Sequence, residues 1–254
     1  MSWVKSGKGG PLPVLERVAG RIPVIESLRA GRRKAHRLFL LRDARDLGPV
    51  RTAAAELPIT ECSRAELDRL AKGVVHQGAV LEADPLPVFD VHEWQAQPFP
   101  DDAIVVVLDG VEDPHNFGAI VRSAVACGVR GIVFGMDRAA PISTAAVKAA
   151  AGAMEYVDLV QAANLVRSIE ALKRAGFWTA ALEATASQTL WDADLTGKTA
   201  LVIGSEGKGI RRLVRERCDM RLRIPLVGAI RTLNASVSAA IALVECIRQK
   251  SNRP

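Results

Sequence analysis

The sequence has few aromatic residues, no paired cysteine motif and no long apolar run, and each absence removes a class of function. Phe, Trp and Tyr make up 4% of the 254 residues, so a face of stacked aromatic rings for binding bases is not expected. The four cysteines form no C-x-x-C pair and the four histidines are scattered. This predicts buried thiols in a reducing compartment and no metal site. No stretch approaches the roughly 20 apolar residues of a membrane span. The first residues lack the apolar centre of a signal peptide, so we expect a cytoplasmic protein that does not enter a membrane.

A phosphate-binding glycine motif is also missing. Three glycines do separate an apolar run from a helical pattern, in the segment GSEGKG at 204–209. The segment matches neither the dinucleotide fingerprint G-x-G-x-x-G nor the P-loop G-x-x-x-x-G-K-[ST], and the carboxylate of Glu206 would repel a phosphate. A glycine turn still lets a flat adenosine lie close to the backbone. Glu206 would then cap a helix, orient another residue or meet a cation.

The pattern along the chain divides it into four parts. We predict a flexible basic arm at 1–13, a small α/β module at 14–83, a linker at 84–102 and a larger domain at 103–254. The linker is predicted from its four prolines, which are excluded from helix interiors and central strands. From residue 103, apolar strands alternate with amphipathic helices, which predicts a parallel sheet with helices on both faces.

Three strand ends in the larger domain carry polar or glycine-rich segments, at the edge where α/β sheets bind ligands. LDGVEDPHNFGAIVRSA at 108–124 predicts a helix capped by Asn116, with Arg122 two turns later. GSEGKG is the second segment. The third is LRIPLVGAIRTLNASVSAA at 222–240, which leads through Asn234 into a helix of small residues. Each segment alone also fits a purely structural role: a capped helix with a solvated arginine, a turn, or a tightly packed helix.

Together, in this order and at these separations, the three segments resemble the SpoU/TrmH branch of the SPOUT RNA methyltransferases. KAAAGAMEYV at 148–157 and HQG at 76–78 look like members that modify ribosomal RNA. The resemblance covers 103–250 strongly. It covers 14–82 more loosely, where members often carry a substrate-binding module related to an RNA-binding ribosomal-protein fold. Thr232 and Ala235 depart conservatively from the family's S-L-N-V-S pattern.

The resemblance implies S-adenosylmethionine as cofactor, bound in a C-terminal trefoil knot. It implies methylation of a ribose 2′-hydroxyl, which only RNA has. The implied cofactor contacts are Gly204, Gly207, Ile224, Pro225, Leu233 and Asn234.

The residue implied to be central to catalysis is Arg122. An arginine in a protein stays protonated, so we expect Arg122 to clamp the phosphate beside the target ribose and to stabilise the developing alkoxide rather than to act as a base. Asn116 would orient it and Glu206 would hold its guanidinium. Ser236 would contact the ribose or a relay water.

The family also implies a homodimer. The small-residue face of 235–242, with Ile241, Val244 and Ile247, fits a seam between two copies. The alternative is that these residues belong to the core of the chain itself.

The net charge of +6 favours a polyanionic partner, although an ordinary basic protein has the same balance. We expect RNA, and by resemblance a guanosine of large-subunit ribosomal RNA, with transfer RNA as the alternative. Two basic groups are candidates for phosphate contact, unless they are simply solvated: Arg29, Arg32, Arg33, Lys34 and Arg37, and then Arg211, Arg212 and Arg215.

Two other functions remain open at this point. A non-catalytic RNA-binding protein that kept the knot would bind the cofactor and transfer no methyl group to any RNA. A nicotinamide oxidoreductase would show the same alternation of strands and helices, but the sequence lacks its fingerprint.

Overall fold

The computed structural model describes residues 15–136 and 142–252, and it divides into two compact units between Leu86 and Pro87. The arm predicted at 1–13 lies outside the described residues. The first unit corresponds to the predicted small module and the second to the predicted larger domain. The boundary falls near the start of the segment that the sequence analysis assigned to a linker.

The first unit is a small α/β structure built on a four-stranded sheet. Its elements are β1 (Glu16–Ala19), α1 (Arg21–Ala30), β2 (Ala35–Leu41), α2 (Gly48–Ala53), β3 (Ile59–Cys62), α3 (Arg64–Ala71) and β4 (Ala79–Ala83). The strand order is β1-β4-β2-β3, with β2 and β3 parallel and the other pairs antiparallel. The helix α3 begins with a complete capping box formed by Ser63 and Glu66.

The second unit is built on an eight-stranded sheet in which every pair is parallel. Its strands are β5 (Val88–Asp90), β6 (Ile104–Asp109), β7 (Gly131–Gly135), β8 (Asp158–Ala162), β9 (Trp178–Leu182), β10 (Gln188–Thr189), β11 (Thr199–Gly204) and β12 (Met220–Arg223). Its helices are α4 (Val91–Gln95), α5 (Pro114–Ala126), α6 (Thr144–Ala150), α7 (Leu165–Arg174), α8 (Arg212–Arg217) and α9 (Ala235–Ser251). The strand order is β10-β12-β9-β11-β6-β7-β8-β5.

Helices cover both faces of this sheet, as predicted. The odd-numbered residues Val105 and Val107 of β6 belong to a buried cluster with residues of α4, α7 and α8. On the other face, α9 contacts β11, and α5 contacts both α6 and α9. Because both faces are covered, all six residues of β6 are buried. This explains why its sequence, IVVVLD, is a continuous apolar run rather than an alternating one.

Most of the segment 84–102 is not a linker. Within it, β5 pairs with β8 at the edge of the sheet and α4 packs against β8 and α7. Trp94 of α4 is 1% exposed, and its indole Nε1 donates to Asp158 Oδ2 at 2.8 Å. The prolines at 85, 87, 98 and 100 flank these two short elements rather than interrupting them. The prediction was wrong because β5 lies at the sheet edge, where flanking prolines cost no ladder hydrogen bond.

The connections of the sheet create a ligand-binding crevice between β6 and β11. From β6 the chain passes through α5 to β7, on one side, whereas from β11 it passes through α8 to β12, on the other side. In open α/β sheets, such a reversal between adjacent strands marks the binding site, at their carboxyl ends. Asp109 and Gly204 are the paired last residues of these two strands.

The position of β12 is fixed by a polar tether at its start. Asp219 Oδ2 accepts from the backbone N and the Oγ1 of Thr179 at 2.9 and 2.7 Å, and Lys173 Nζ lies 2.6 Å from Asp219 Oδ1. Burial alone would raise the pKa of Asp219, but Lys173 and Thr179 outweigh it and lower that pKa below its ordinary value. The tether holds β12 against β9 and so places the segment that follows it, which begins at Ile224. The trefoil knot stays a prediction from the family resemblance.

Candidate active site

Three polar side chains from distant parts of the chain meet at the crevice. Asn116 lies in the first turn of α5, Glu206 lies in the loop after β11, and Asn234 caps α9. Asn116 Nδ2 donates to Glu206 Oε1 at 2.9 Å, and Asn234 Nδ2 donates to Asn116 Oδ1 at 2.9 Å. Asn234 Nδ2 also contacts Glu206 Oε1. The two amides and the carboxylate therefore form one closed network.

The network is held rigidly from two helix starts. Asn234 Oδ1 accepts from the backbone N of Ser236 at 2.8 Å and from its Oγ at 2.6 Å. The cap of α5 is Asp113 rather than the predicted Asn116, because the Asp113 carboxylate accepts from the backbone N–H groups of His115 and Asn116. It thereby fixes the turn that carries Asn116, which is 7% exposed. Capping side chains satisfy backbone N–H groups that a helix start leaves without partners. Asn234 thus has two functions, since it caps α9 with its oxygen and binds the network with its nitrogen.

The loop that carries Glu206 is a tight turn whose glycines are required. The backbone N–H of Ser205 donates to Gly209 O at 3.2 Å, and that of Gly209 donates back to Ser205 O at 3.0 Å. Gly207 and Gly209 have φ of +82° and +64°, which favours glycine. A Cβ on Gly204 would lie 2.3 Å from the carbonyl carbon of Gly209. The turn closes directly over Gly204, so only glycine fits there.

A cavity of about 370 Å³ opens beside this loop. Its size is within the range of small-molecule sites, and its lining is largely apolar and backbone. The predicted cofactor residues Gly204, Gly207, Ile224 and Leu233 line it, whereas Pro225 and Asn234 are only neighbours of lining residues. The other lining residues are Leu182, Glu183, Ala184, Thr185, Ile203, Ser205, Glu206, Lys208, Gly209, Leu222, Leu226, Arg231, Thr232, Ala235 and Ser238.

A second, smaller cavity of about 160 Å³ is lined by Asn116 and by the acidic segment Glu112–Asp113. Ser205, Glu206, Lys208 and Ala235 line both cavities. The hydrogen-bonded network therefore lies where the two cavities meet. The arrangement can hold one ligand in each cavity with the Glu206 carboxylate beside both.

Two carboxylates of this region were missed by the sequence analysis. Asp109, the last residue of β6, is 0% exposed and accepts from the backbone N and the Nε of Arg211 at 2.7 and 2.6 Å. Glu183 lines the larger cavity and accepts from Arg215 at 2.7 Å. A charged residue that ends an otherwise apolar strand, as in VVVLD, was the available signal for Asp109. For Glu183 the sequence carries no comparable signal.

The expected contact between Arg122 and Glu206 is not made within the chain. Glu206 binds the two asparagines instead, and Arg122 is exposed and lines neither cavity. The reason is helix geometry. Arg122 lies six positions after Asn116 on α5, so at 100° per residue their side chains point about 120° apart. Ser236 is placed beside the network, with its Oγ bound to Asn234.

Most of the predicted phosphate-binding arginines have acidic partners inside the chain. Arg33, whose side chain is 4% exposed, pairs with Glu16 at 2.9 Å, and Arg29 pairs with Glu26 at 3.2 Å. In the second group, Arg211 pairs with buried Asp109, Arg212 with Glu216 and Arg215 with Glu183. Arg33 and Arg211 are therefore structural, because the Arg33 side chain is itself buried and Arg211 is held by the buried carboxylate of Asp109. Lys34 and Arg37 are exposed.

The cysteines offer no nucleophile to this site. All four are free thiols, and burial raises the pKa of Cys218 and of Cys246 to about 12. A thiol acts as a nucleophile only as the thiolate. Both side chains therefore stay protonated and unreactive at neutral pH.

Two family models match the chain, one in each unit. The SpoU rRNA methylase family matches residues 103–244, and the model described as RNA 2′-O ribose methyltransferase substrate binding matches residues 17–89. The first match contains the network and both cavities. The second contains the whole four-stranded sheet except the first residue of β1.

Several curated relatives are similar along most of their length. A 23S rRNA (guanosine-2′-O-)-methyltransferase RlmB from Pseudomonas aeruginosa is 40% identical over 201 residues, which cover 78% of this chain and 81% of the relative. The RlmB of Escherichia coli strain K12 is 39% identical over 195 residues, or 74% and 78% of the two chains.

Solved structures share the fold across both units. The SpoU methyltransferase AviRb from Streptomyces viridochromogenes, in complex with the cofactor AdoMet, aligns with a TM-score of 0.80 and 23% identity, covering 94% of this chain and 92% of the other. An RNA 2′-O ribose methyltransferase aligns with a TM-score of 0.76 and 25% identity, covering 93% and 89%.

Proposed function

The chain belongs to the SpoU rRNA methylase family, and we propose that it methylates the ribose 2′-hydroxyl of a guanosine in 23S rRNA with S-adenosylmethionine as methyl donor. The names of its curated relatives support 23S rRNA over transfer RNA and support an enzyme over a non-catalytic RNA-binding protein. The main observation in support of the proposal is that the two cavities adjoin each other at the Asn116–Glu206–Asn234 network.

The residues of the larger cavity fit S-adenosylmethionine. This cofactor contains an adenosine, an amino acid end and a methyl group on a cationic sulfonium, and no phosphate. The cavity offers flat backbone at Gly204, apolar side chains at Ile224 and Leu233, and the carboxylates of Glu183 and Glu206. Carboxylates suit the sulfonium cation, and the glycine turn beside them lacks the features of a P-loop.

The network gives the reaction its fixed geometry. With the donor in the larger cavity and the target ribose in the smaller one, Asn116 and Glu206 lie beside the hydroxyl that must lose a proton. Only one oxygen of Glu206 is used by the two asparagines in the described part of the chain, which leaves its second oxygen to accept a hydrogen bond. Such preorganised groups act by positioning and by stabilising charge that develops in the transition state.

Arg122 supplies the positive charge, and we assign it to the phosphate beside the target ribose and to the developing alkoxide. It is exposed, and no acidic partner for it is found among residues 15–136 and 142–252. A guanidinium that is always protonated cannot act as a base, but it can hold a phosphate through two parallel hydrogen bonds. Because Arg122 is about 120° around α5 from Asn116 and lines neither cavity, we propose that a second copy of the chain supplies it.

The proposed reaction is tested with the purified protein and two kinds of RNA. Isothermal titration calorimetry should show binding of S-adenosylmethionine and no binding of ATP or NAD. Methyl transfer from labelled S-adenosylmethionine should occur to a 23S rRNA transcript and not to bulk transfer RNA. Tight ATP binding without a response to S-adenosylmethionine would refute the cofactor assignment, and transfer to transfer RNA alone would refute the substrate.

A homodimer is part of the proposal, and α9 supports it. Val237, Val244 and Ile247 are 46%, 61% and 36% exposed and follow helical spacing along one side of α9, whereas Ala239 and Ala242 are buried in the chain itself. The small residues are thus largely core, and the larger apolar residues form a stripe that faces solvent in the single chain. An exposed apolar stripe of this kind marks a protein interface.

We expect the wild-type protein to sediment as a dimer at micromolar concentration and Val244→Glu to sediment as a folded monomer, because a charge in an apolar seam would be buried without a partner. Leu213→Glu in α8 is the matched control, since Leu213 is 58% exposed in the same unit. It should leave the dimer intact. A wild-type monomer, or equal effects of the two substitutions, would reject the α9 interface.

A further inference from the structure

A cavity of about 840 Å³ lies entirely within the first unit and belongs to no site described so far. It is formed by the start of α1, the loop after β2, the start of α3 and the loop before β4. Its lining residues are Arg21, Leu41, Ala44, Arg45, Asp46, Arg64, Asp68, Gly73, Val74, Val75, His76, Gln77 and Gly78. We refer to it as the arginine cavity.

Three guanidinium groups line the arginine cavity and form no salt bridge with the residues that the structure describes. Arg21 donates only to backbone carbonyls, to Gln77 O at 3.0 Å and to Arg45 O at 3.3 Å. Arg45 and Arg64 are exposed, and their side chains have no acidic partner within residues 15–136 and 142–252. They differ in this respect from Arg29 and Arg33, whose charges are matched by glutamates. Two carboxylates, Asp46 and Asp68, also line the arginine cavity, but Asp68 pairs with His76 rather than with an arginine. Three arginines against two carboxylates leave an excess of one positive charge, and the three guanidinium groups are not engaged in ion pairs within the described residues.

The part of the cavity wall formed by His76, Gln77 and Gly78 is held by several hydrogen bonds. His76 is 6% exposed, and its ring is held on both sides. The backbone N–H of Gly78 donates to His76 Nδ1 at 2.9 Å, so the ring proton is on Nε2, which donates to Asp68 Oδ1 at 3.0 Å. Gln77 has a φ of +49° and accepts from the backbone N of Arg21 through its side chain. A left-handed glutamine is costly, and such residues persist where the surrounding contacts fix them.

The remaining lining residues point to a nucleotide rather than to a bare anion. Val75 is 62% exposed and offers an apolar surface to a base. Asp46 is exposed and offers an acceptor for the N–H groups at a base edge. Guanidinium planes can stack on bases and also bind phosphates. Sequence-specific recognition of RNA uses this combination on single-stranded loops, whose unpaired bases are accessible.

Resting on the function proposed above, we propose that the arginine cavity binds an unpaired nucleotide of the substrate RNA. Arg45 and Arg64 hold its phosphates, Val75 contacts its base, and Arg21 holds the loops on either side of the cavity together. This site differs from the basic turn at 29–37 that the sequence suggested. The two lie at opposite ends of α1, a helix of ten residues and hence about 15 Å long.

The test compares two double variants that each remove two positive charges from the first unit. Arg45→Ala with Arg64→Ala affects the arginine cavity, and Lys34→Ala with Arg37→Ala affects the basic turn. We expect the first to weaken binding of a 23S rRNA fragment about 10- to 100-fold in filter-binding assays at physiological salt. The slope of log affinity against log salt should become shallower by about 1.4, which corresponds to two phosphates of single-stranded RNA. The second should change affinity less than about threefold.

Two further measurements make the result specific. Fully paired RNA should lose little affinity with the first double variant, because the arginine cavity binds an unpaired nucleotide. Calorimetry should show unchanged S-adenosylmethionine binding, since the second unit is untouched. The inference is overturned if the first double variant binds the fragment as tightly as the wild type does. It is also overturned if both double variants lose affinity for the fragment equally, or if the first double variant loses as much affinity for duplex RNA as for the fragment. A wild-type protein that binds RNA through these arginines but methylates none would refute the proposed function and leave the inference standing.

Discussion

Replacing Arg122 by alanine is expected to lower the single-turnover rate of methyl transfer by about a hundredfold or more, with RNA affinity nearly unchanged. Loss of one preorganised group that stabilises transition-state charge typically costs 10²–10³ in rate. Arg122 is exposed and has no partner in the described parts of the chain, so the substitution should not affect folding. Arg122→Lys should recover only part of the rate, because an ammonium keeps the charge but not the planar fork.

Arg130→Ala is the matched control for this experiment. Arg130 is also exposed and belongs to the same unit. It immediately precedes β7, at the amino end of that strand and away from the carboxyl ends of the strands. Its removal should leave the single-turnover rate within about twofold of the wild type. Single-turnover methylation with saturating RNA separates the chemical step from binding. A full rate in Arg122→Ala would show that the catalytic assignment is wrong.

A mixing experiment with the same variant shows which chain of the proposed dimer supplies Arg122 to each site. Arg122→Ala and Asn116→Ala are each expected to be nearly inactive alone. In a mixed dimer, one site would combine the intact Asn116 of one copy with the intact Arg122 of the other. Mixing the two inactive proteins should therefore restore a measurable part of the wild-type activity. If the mixture stays inactive although sedimentation shows mixed dimers, both residues act within one chain.

Gly204→Ala is expected to weaken S-adenosylmethionine binding at least about a hundredfold, or about 2.7 kcal/mol. A Cβ at this position would meet only backbone, with Gly209 C at 2.3 Å, Ile210 N at 2.4 Å and Gly209 O at 2.6 Å. No side chain can rotate away, so the whole turn has to move and the paired hydrogen bonds between Ser205 and Gly209 are lost. Overpacking of this kind costs about 1–3 kcal/mol of stability, so the Tm should fall by about 3–10 °C.

Gly197→Ala provides the control on the same chain. Gly197 precedes β11, a Cβ there meets nothing within 4 Å, and its backbone is outside the left-handed region. Its calorimetric affinity for the cofactor should match that of the wild type. Wild-type affinity in Gly204→Ala would show that the turn does not form a wall of the cofactor site.

The architecture of the second unit could be predicted from the sequence because strands that are buried on both faces consist of consecutive apolar residues. Apolar runs such as IVVVLD alternate with amphipathic helices, and the two patterns identify a covered parallel sheet. The segment 84–102 shows the limit of this reasoning. Its prolines exclude helix interiors and central strands equally in a linker and at a sheet edge. Only the pairing of β5 with β8 shows that this segment is an edge strand rather than a linker.

The candidate site was predicted as a set of residues but not as a set of contacts. Glu206 was paired with Arg122 on the basis of charge, whereas the structure pairs it with Asn116 and Asn234, which lie 90 and 28 residues away. The strand order β11-β6 and the turn at 204–209 determine that choice, and neither follows from local pattern. Likewise, Arg33 and Arg211 belong to obvious charge runs, but their partners Glu16 and Asp109 become neighbours only through the tertiary fold.

We propose that this chain methylates one ribose of large-subunit ribosomal RNA. The most direct measurement is a map of 2′-O-methylated nucleotides in total cellular RNA, with the gene intact, deleted and restored as Arg122→Ala. We predict that deletion removes a single 2′-O-methylguanosine from 23S rRNA, that the intact gene restores it, and that Arg122→Ala does not. Loss of a methyl group from transfer RNA alone, or an unchanged map after deletion, would contradict the account.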